Sequence, residues 1–407
     1  MKLNAKIFAL VFGLFSFVPT FAADTLQVYA IRVQFAEETP NDNSLTTGTG
    51  LFDSDKGKKG DYKLDPSGRR NSVPYWKKHF DFANAYFNKA SNGNVVIDAH
   101  IFPTSSSAYK LKKQIIDYNR TSKMKGEKTA EFDEARSRDY LQFVYDAVMA
   151  AHESGESPFS EPLSKNPNTK RVYMIIHAGA SRLLDGGSMG TRGADTPGDF
   201  MDFYVSRNDW QYLDKSLEGA ALLKVSKDSS VVNGLVLKDA SIDTLRSIMV
   251  TSETFSQDGL NWGVNGKKMN KIAHELGLPN TYDVEKGISR LGYYDLMDFA
   301  GYNAGNGFLP SLPAAWERAY MGWTQVKEVR PVAGKPVTVD IAAAGTGKGT
   351  EIVKVPLSAS EYLLIENRQR SWDKDGLVSV TLGDDDESTD TIVKTVPVDS
   401  LNLVFED

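Results

Sequence analysis

The chain has 407 residues, 41% hydrophobic and 25% charged, enough to bury one large or two medium cores and ordinary for a soluble globular protein. A formal net charge of −6 without a long basic run argues against nucleic acid and anionic membrane as partners. With no cysteine, no disulfide supports the fold.

Residues 1–22 read as a secretory signal: Lys2 and Lys6 form a basic start, 7–18 an apolar stretch, and Thr20-Phe21-Ala22 a small-residue cleavage site. The apolar stretch is too short to span a bilayer as a helix, and no later run is long and apolar enough to do so. Removing Lys2 and Lys6 takes the net charge from −6 to −8. These features predict a secreted or periplasmic protein with no membrane span in the mature chain.

Residues 26–35 alternate and are rich in β-formers, which predicts the first strand. A polar stretch, 41–60, reads as a surface loop. Pro74 opens a helix at its N1 position, with Tyr75, Phe80, Phe82, Ala85, Tyr86 and Phe87 apolar, and Ser91-Asn-Gly-Asn94 ends it. A strand is predicted at 95–102, a helix at 131–152 with Leu141, Val144, Ala147 and Val148 at helical spacing, and a central strand at 171–177. Five glycines make 185–199 an irregular loop. A strand at 245–251 leads to a helix over 266–276, and 313–320 reads as a short helix opened by Pro313.

Composition shifts at Arg330-Pro-Val-Ala-Gly-Lys-Pro336. The runs 337–341, 352–355, 362–365, 377–382 and 391–396 predict an all-β module. A last β-like run, 401–405, precedes Asp407. Asp384-Asp-Asp-Glu387 is a solvated loop or a calcium site. The expected class is α+β, a mixed sheet with helices over 23–329, followed by the β-rich module over 330–407.

Chemistry concentrates in Lys271-Ile-Ala-His274-Glu-Leu-Gly277-Leu-Pro279-Asn280. Zinc peptidases place two His at i and i+4 on one helix face, a Glu beside the first, and a Gly that turns the chain toward a third ligand. Gly277 fixes the register: His274 stands at the second ligand position, Asn270 at the first and Asn280 at the third. Lys271 stands where the general base belongs. The other register fails, because Leu278 would replace the second His and Pro279 would end the helix. Glu275 lies about 100° around the helix from His274 and faces elsewhere.

A charged Lys271 ~5 Å from a divalent ion would be repelled by roughly 6–7 kcal/mol at an effective dielectric of ~20. The other histidines, His79, His100, His152 and His177, are distant in sequence. His177 reads as a strand-end residue anchoring a Gly turn, and Asp195-Thr196-Pro197 as turn chemistry. Met297 reads as core. Tyr282, Tyr293 and Tyr294 are expected to pack the turn, and Asp283 and Asp295 to cap turns or hold a structural cation. For the Lys271 ammonium the expected partner is Asp283, Asp295 or Asp298.

The run from Asn265-Gly266 through Asp283 resembles, without a gap, the pattern N-G-x-x-x-H-E-x-G-H-x-L-G-L-P-D-x-Y-D of the immune-inhibitor-A-like secreted metallopeptidases. Gly292-Tyr-Tyr-Asp295-Leu-Met297 is similar to that family's G-Y-W-D-L-M, and Ala319-Tyr-Met-Gly322-Trp323 to its A-Y-L-G-W. Ile176-His177-Ala-Gly179 and 194–197 resemble its upstream segments, and Glu361-Tyr-Leu-Leu-Ile-Glu366-Asn367-Arg368 its E-Y-x-x-x-E-N-R strand. The resemblance implies a metzincin-like fold with Met297 at the Met-turn. In that family the C-terminal module usually continues further, which implies an incomplete β module here. It implies zinc ligands at 270, 274 and 280, of which only His274 is an imidazole here. Zinc is then absent or weak, and the chain is a non-catalytic protein- or peptide-binding accessory protein, a pseudopeptidase. The alternative is an active secreted zinc metalloendopeptidase with a rearranged site.

Overall fold

In the computed structural model, the described residues are 24–38, 46–54, 69–105, 107–121, 124–184, 196–212, 223–225, 232–237, 240–242, 244–256, 262–283, 286–298, 307–331, 337–368, 379–380 and 393–394. The elements follow in order: β1 (Asp24–Gln34), α1 (Val73–Ala90), β2 (Val95–Phe102), β3 (Tyr109–Lys110), α2 (Thr129–His152), β4 (Thr169–Ala180) and β5 (Phe203–Val205). Then come β6 (Leu223–Val225), β7 (Val232–Leu235), β8 (Ile248–Thr254), α3 (Asn265–Leu276) and α4 (Ala315–Tyr320). The C-terminal strands are β9 (Val326–Glu328), β10 (Ile352–Pro356), β11 (Tyr362–Glu366), β12 (Ser379–Val380) and β13 (Val393–Lys394).

The main sheet runs β2-β1-β4-β8-β5, with β3 also pairing β1. Every pairing in it is parallel except β5 against β8. A parallel sheet buries both faces, so its strands read as continuous apolar runs. In β8 all seven residues are buried, and in β4 the last nine are. This mixed sheet with its helices is the α+β class expected. No helix among the described residues is long and apolar enough to cross a membrane.

The long elements lie close to where periodicity put them. Ser72 caps α1, its hydroxyl accepting from the Tyr75 N–H at 3.4 Å. Helix α3 presents Met269, Ile272 and Ala273 to the core, all fully buried, and packs against β8 and α1. Gly277 ends it at φ 107°, where its N–H reaches back to Ala273 O at 3.1 Å and that of Leu278 to the same carbonyl at 3.0 Å. No atom lies within 4 Å of where a Cβ would sit on Gly277. Gly277→Ala is therefore expected to cost only the backbone term, about 1–2 kcal/mol, read as a fall in the urea midpoint. An unchanged midpoint would show that the left-handed turn is not needed.

Other boundaries are corrected by tertiary contacts. Pro74 is the second helical residue rather than the first, because α1 begins at Val73. Strand β8 starts at Ile248, not 245, because Leu245 pairs with Leu235 in both directions. Helix α4 starts at Ala315 rather than Pro313. The Ala314 N–H is taken by Asp295 Oδ1 at 3.0 Å and Glu317 Oε2 at 2.9 Å, holding Ala314 extended. Residues 337–341 form no strand; Ile341 O instead accepts from Asn367 Nδ2 at 3.0 Å.

In the C-terminal region, β10 pairs antiparallel with β11 and parallel with β9, while β12 pairs with β13. The signal-like segment, residues 384–387 and residues 401–405 lie outside the described residues.

Candidate functional site

Helix α3 places Lys267, Lys271 and His274 at i, i+4 and i+7, one face of the helix. Asn270 lies one turn before His274 and is buried at 4% exposure. Its Nδ2 meets Leu296 O at 3.4 Å and Met297 Sδ at 3.5 Å, so fully buried Met297 packs beside the motif helix.

His274 Nδ1 lies 3.1 Å from Leu278 O. A carbonyl only accepts, so Nδ1 carries the proton and Nε2 the lone pair. The Asn280 side chain is a further hydrogen-bond partner of the ring, and the Tyr204 ring lies beside it at 5.8 Å between centroids. Burial, reinforced by the charge of Lys271, pushes the His274 pKa down to about 4. The imidazole is neutral at physiological pH.

The charge of one carboxylate, Asp202 at the approach to β5, acts on three lysines of α3, Lys267, Lys268 and Lys271. Asp202 is itself held by Thr251 Oγ1 at 2.7 Å and by the Ser252 hydroxyl at 3.2 Å. Burial and the neighbouring Lys271 push Lys267 down to about 7. Burial also lowers Lys271, opposed by Asp202. Lys271 forms no ion pair among the described residues. Lys268 is fully buried, its Nζ 4.9 Å from the centroid of Trp76 and 5.4 Å from that of Phe80.

The expected carboxylate partners of Lys271 are engaged elsewhere. Asp283 accepts from Lys286 N at 3.0 Å and lies 3.4 Å from Arg290 Nη2. Asp295 accepts from Thr281 and from Ala314 N, tying the Met297 turn to the start of α4. Asp298 accepts the backbone N–H groups of Arg290, Leu291 and Gly292. These are turn and capping roles. Tyr293 and Tyr294 are 63% and 74% exposed rather than packed into the turn as expected, and Ser311 and Arg368 hold their backbone carbonyls.

Glu275 faces away, as its helix position implied: it binds Lys170 Nζ at 2.9 Å and Ser247 Oγ at 2.8 Å. His79 comes to the start of α3, with Nδ1 2.8 Å from Asn265 Oδ1. Nine residues of helix separate Asn265 from His274, about 13 Å along the axis, so His79 and His274 do not share an ion. His177 is buried among Phe35, Phe143 and Phe200, with Nδ1 2.9 Å from Ala178 O, just ahead of Gly179 at φ 93°.

Among the described residues no group of three or more His, Asp or Glu side chains could hold a metal ion. The local donor set does not fit zinc either. It offers one imidazole, two neutral amides and a lysine, where a catalytic zinc takes three ligands of imidazole, carboxylate or thiolate type. The position from which a general base would take the proton of bound water holds Lys271 rather than a carboxylate. Asp202 and Tyr204, central to the site, carried no local signal: Asp202 precedes, and Tyr204 lies within, a three-residue strand reached only through tertiary pairing. Compared with known protein families the chain matches none, and no curated protein aligns with it significantly.

Proposed function

We propose that this chain is a secreted, metzincin-like protein whose zinc site is lost, acting as a non-catalytic accessory protein that binds a protein or peptide. In this reading Met297 marks the Met-turn and the strands after residue 330 form a C-terminal β module. One observation carries it. Helix α3 carries Asn270 and His274 one turn apart and ends at Gly277, the Asn280 side chain meets the His274 ring and Met297 lies against Asn270, while the chemistry at 270, 271 and 280 is that of amides and a lysine. Among the described residues β5 is the last strand of the sheet, with Tyr204 beside His274, which supports a binding role, since an edge offers backbone groups to an extended peptide.

The test is metal content and proteolysis. After dialysis, the mature protein should hold far less than equimolar zinc and should not cleave casein. Asn270→His, Lys271→Glu and Asn280→Asp combined should create zinc affinity, because the backbone already presents the three positions. Equimolar zinc lost on His274→Ala, with chelator-sensitive casein cleavage, would instead establish an active peptidase. A folded triple variant that takes up no zinc would overturn the register.

A further inference from the structure

Strand β11 ends the C-terminal sheet: in the order β11-β10-β9, no strand among the described residues lies along its far side. The opposite outer strand, β9, is three residues long and carries Lys327 and Glu328, a short charged form that discourages further pairing. Strand β11 has no such guard. Its five residues, Tyr-Leu-Leu-Ile-Glu, include no lysine and no proline, and their register against β10 runs without a bulge. Tyr362, Leu363 and Ile365 are 42%, 52% and 44% exposed. An unguarded apolar edge is a template for another strand.

The pairing with β10 decides which backbone groups that edge offers. Leu357 N donates to Glu361 O at 2.8 Å, so by alternation Val355–Leu363 and Val353–Ile365 are the hydrogen-bonded pairs of the ladder. Lys354 O accepts from Val329 N at 2.9 Å on the β9 side, which agrees, because Lys354 and Leu364 are then a pair without mutual bonds. The N–H and C=O groups of Tyr362, Leu364 and Glu366 therefore point outward.

We propose that this edge pairs antiparallel with the same edge of a second copy of the chain, about a two-fold axis at Leu364. The outward groups of Leu364 then bond their own counterparts, and Tyr362 bonds Glu366 of the other copy, each pair exchanging both hydrogen bonds. Between them Leu363 and Ile365 fall opposite each other twice, in pairs without mutual bonds, where side chains approach most closely. Charge and polarity select this register. An axis at Glu366 would set two carboxylates face to face, and one at Tyr362 or Leu363 would set an exposed apolar residue against Glu361. An axis at Ile365 would set Leu363 against Asn367. With the axis at Leu364, Glu361 meets Asn367 and Glu366 meets Tyr362, so no like charges oppose.

Sedimentation velocity of the purified full chain, from about 1 to 300 µM, tests this. The sedimentation coefficient is expected to rise from monomer to dimer and no further, half-converted at roughly 10–100 µM for an interface this small. Leu363→Lys and Ile365→Glu should each weaken the dimer at least about tenfold, by setting a charge against an apolar residue twice. Mixed together, the two variants should dimerise again, because the introduced lysine then faces the introduced glutamate and one Leu–Ile pair remains. Circular dichroism shows whether each variant is folded. Should either not fold, Leu364→Pro takes its place, since it deletes an outward N–H and leaves the β10 ladder whole. A monomer throughout the range would overturn the proposal, as would growth past the dimer. So would a dimer that survives Leu363→Lys or Leu364→Pro, or a mixture of the two charged variants that stays monomeric.

Discussion

Arg318→Met is expected to destabilise the protein by about 3–5 kcal/mol, because it leaves a buried carboxylate without its cation. Arg318 is fully buried on α4, with Nη1 2.9 Å from Glu351 Oε2 and Nη2 2.7 Å from Glu366 Oε2. Glu351 is 1% exposed and is also the acceptor for Thr346 N at 2.9 Å, Gly347 N at 2.7 Å and Asn92 Nδ2 at 3.2 Å. One carboxylate therefore joins the turn after α1, helix α4 and the loop before β10. Glu366 keeps partial solvent contact and contributes less. Urea unfolding of the variant, with Glu351→Gln and the double variant, gives the coupling directly. A loss under about 1 kcal/mol would mean that the pair's attraction only offsets its desolvation and that neighbouring groups or water take over the released charge.

The same network explains why part of the molecule was legible in the sequence and part was not. Glu366, Asn367 and Arg368 stood out as a motif, but their roles are three-dimensional. Glu366 meets Arg318, Asn367 holds Ile341 O, and Arg368 reaches the carbonyls of Leu312 and Pro313. Long parallel strands such as β1 and β4 were readable because burial on both faces leaves a continuous apolar run. Helix α3 was readable because its buried stripe and Gly277 are local signals.

Strands β3, β5, β6 and β7 have two to four residues each and were not seen. Too few side chains alternate there to outweigh the surrounding loop composition. For Lys271, the sequence offered acids close by in the chain, at 283, 295 and 298. Chain proximity favoured them, yet each is captured by backbone N–H groups of its own turn or of the segment packed on it. The carboxylate whose charge acts on the lysines, Asp202, arrives through the β5–β8 pairing.

Lys268→Met is expected to stabilise the protein by about 1–4 kcal/mol near pH 7, the range seen when buried charge gives way to apolar volume. Lys268 is 0% exposed, and its Nζ has no hydrogen-bond partner among the described residues. Two effects compete. The rings of Trp76 and Phe80 attract the ammonium, worth roughly 2 kcal/mol when desolvated. Removing that ammonium from water costs several kcal/mol even after relaxation. Desolvation wins, and burial holds the lysine well below its ordinary pKa despite the opposing charge of Asp202. The unfolded chain then binds the proton more tightly than the folded one, so stability is full above the unfolded lysine value of about 10.4 and falls as pH drops toward the folded value. Methionine removes this titration. The advantage of the variant should therefore be small near pH 10.5 and grow as pH falls to 7. Asp199, pushed up to about 7 by burial, and Glu253, pushed up to about 8 by burial, titrate in both proteins and cancel in the difference. Guanidinium unfolding of the two proteins across pH 7–10.5 measures it. A variant less stable than the parent at pH 7 would show that the aromatic cage and Asp202 hold the lysine charged.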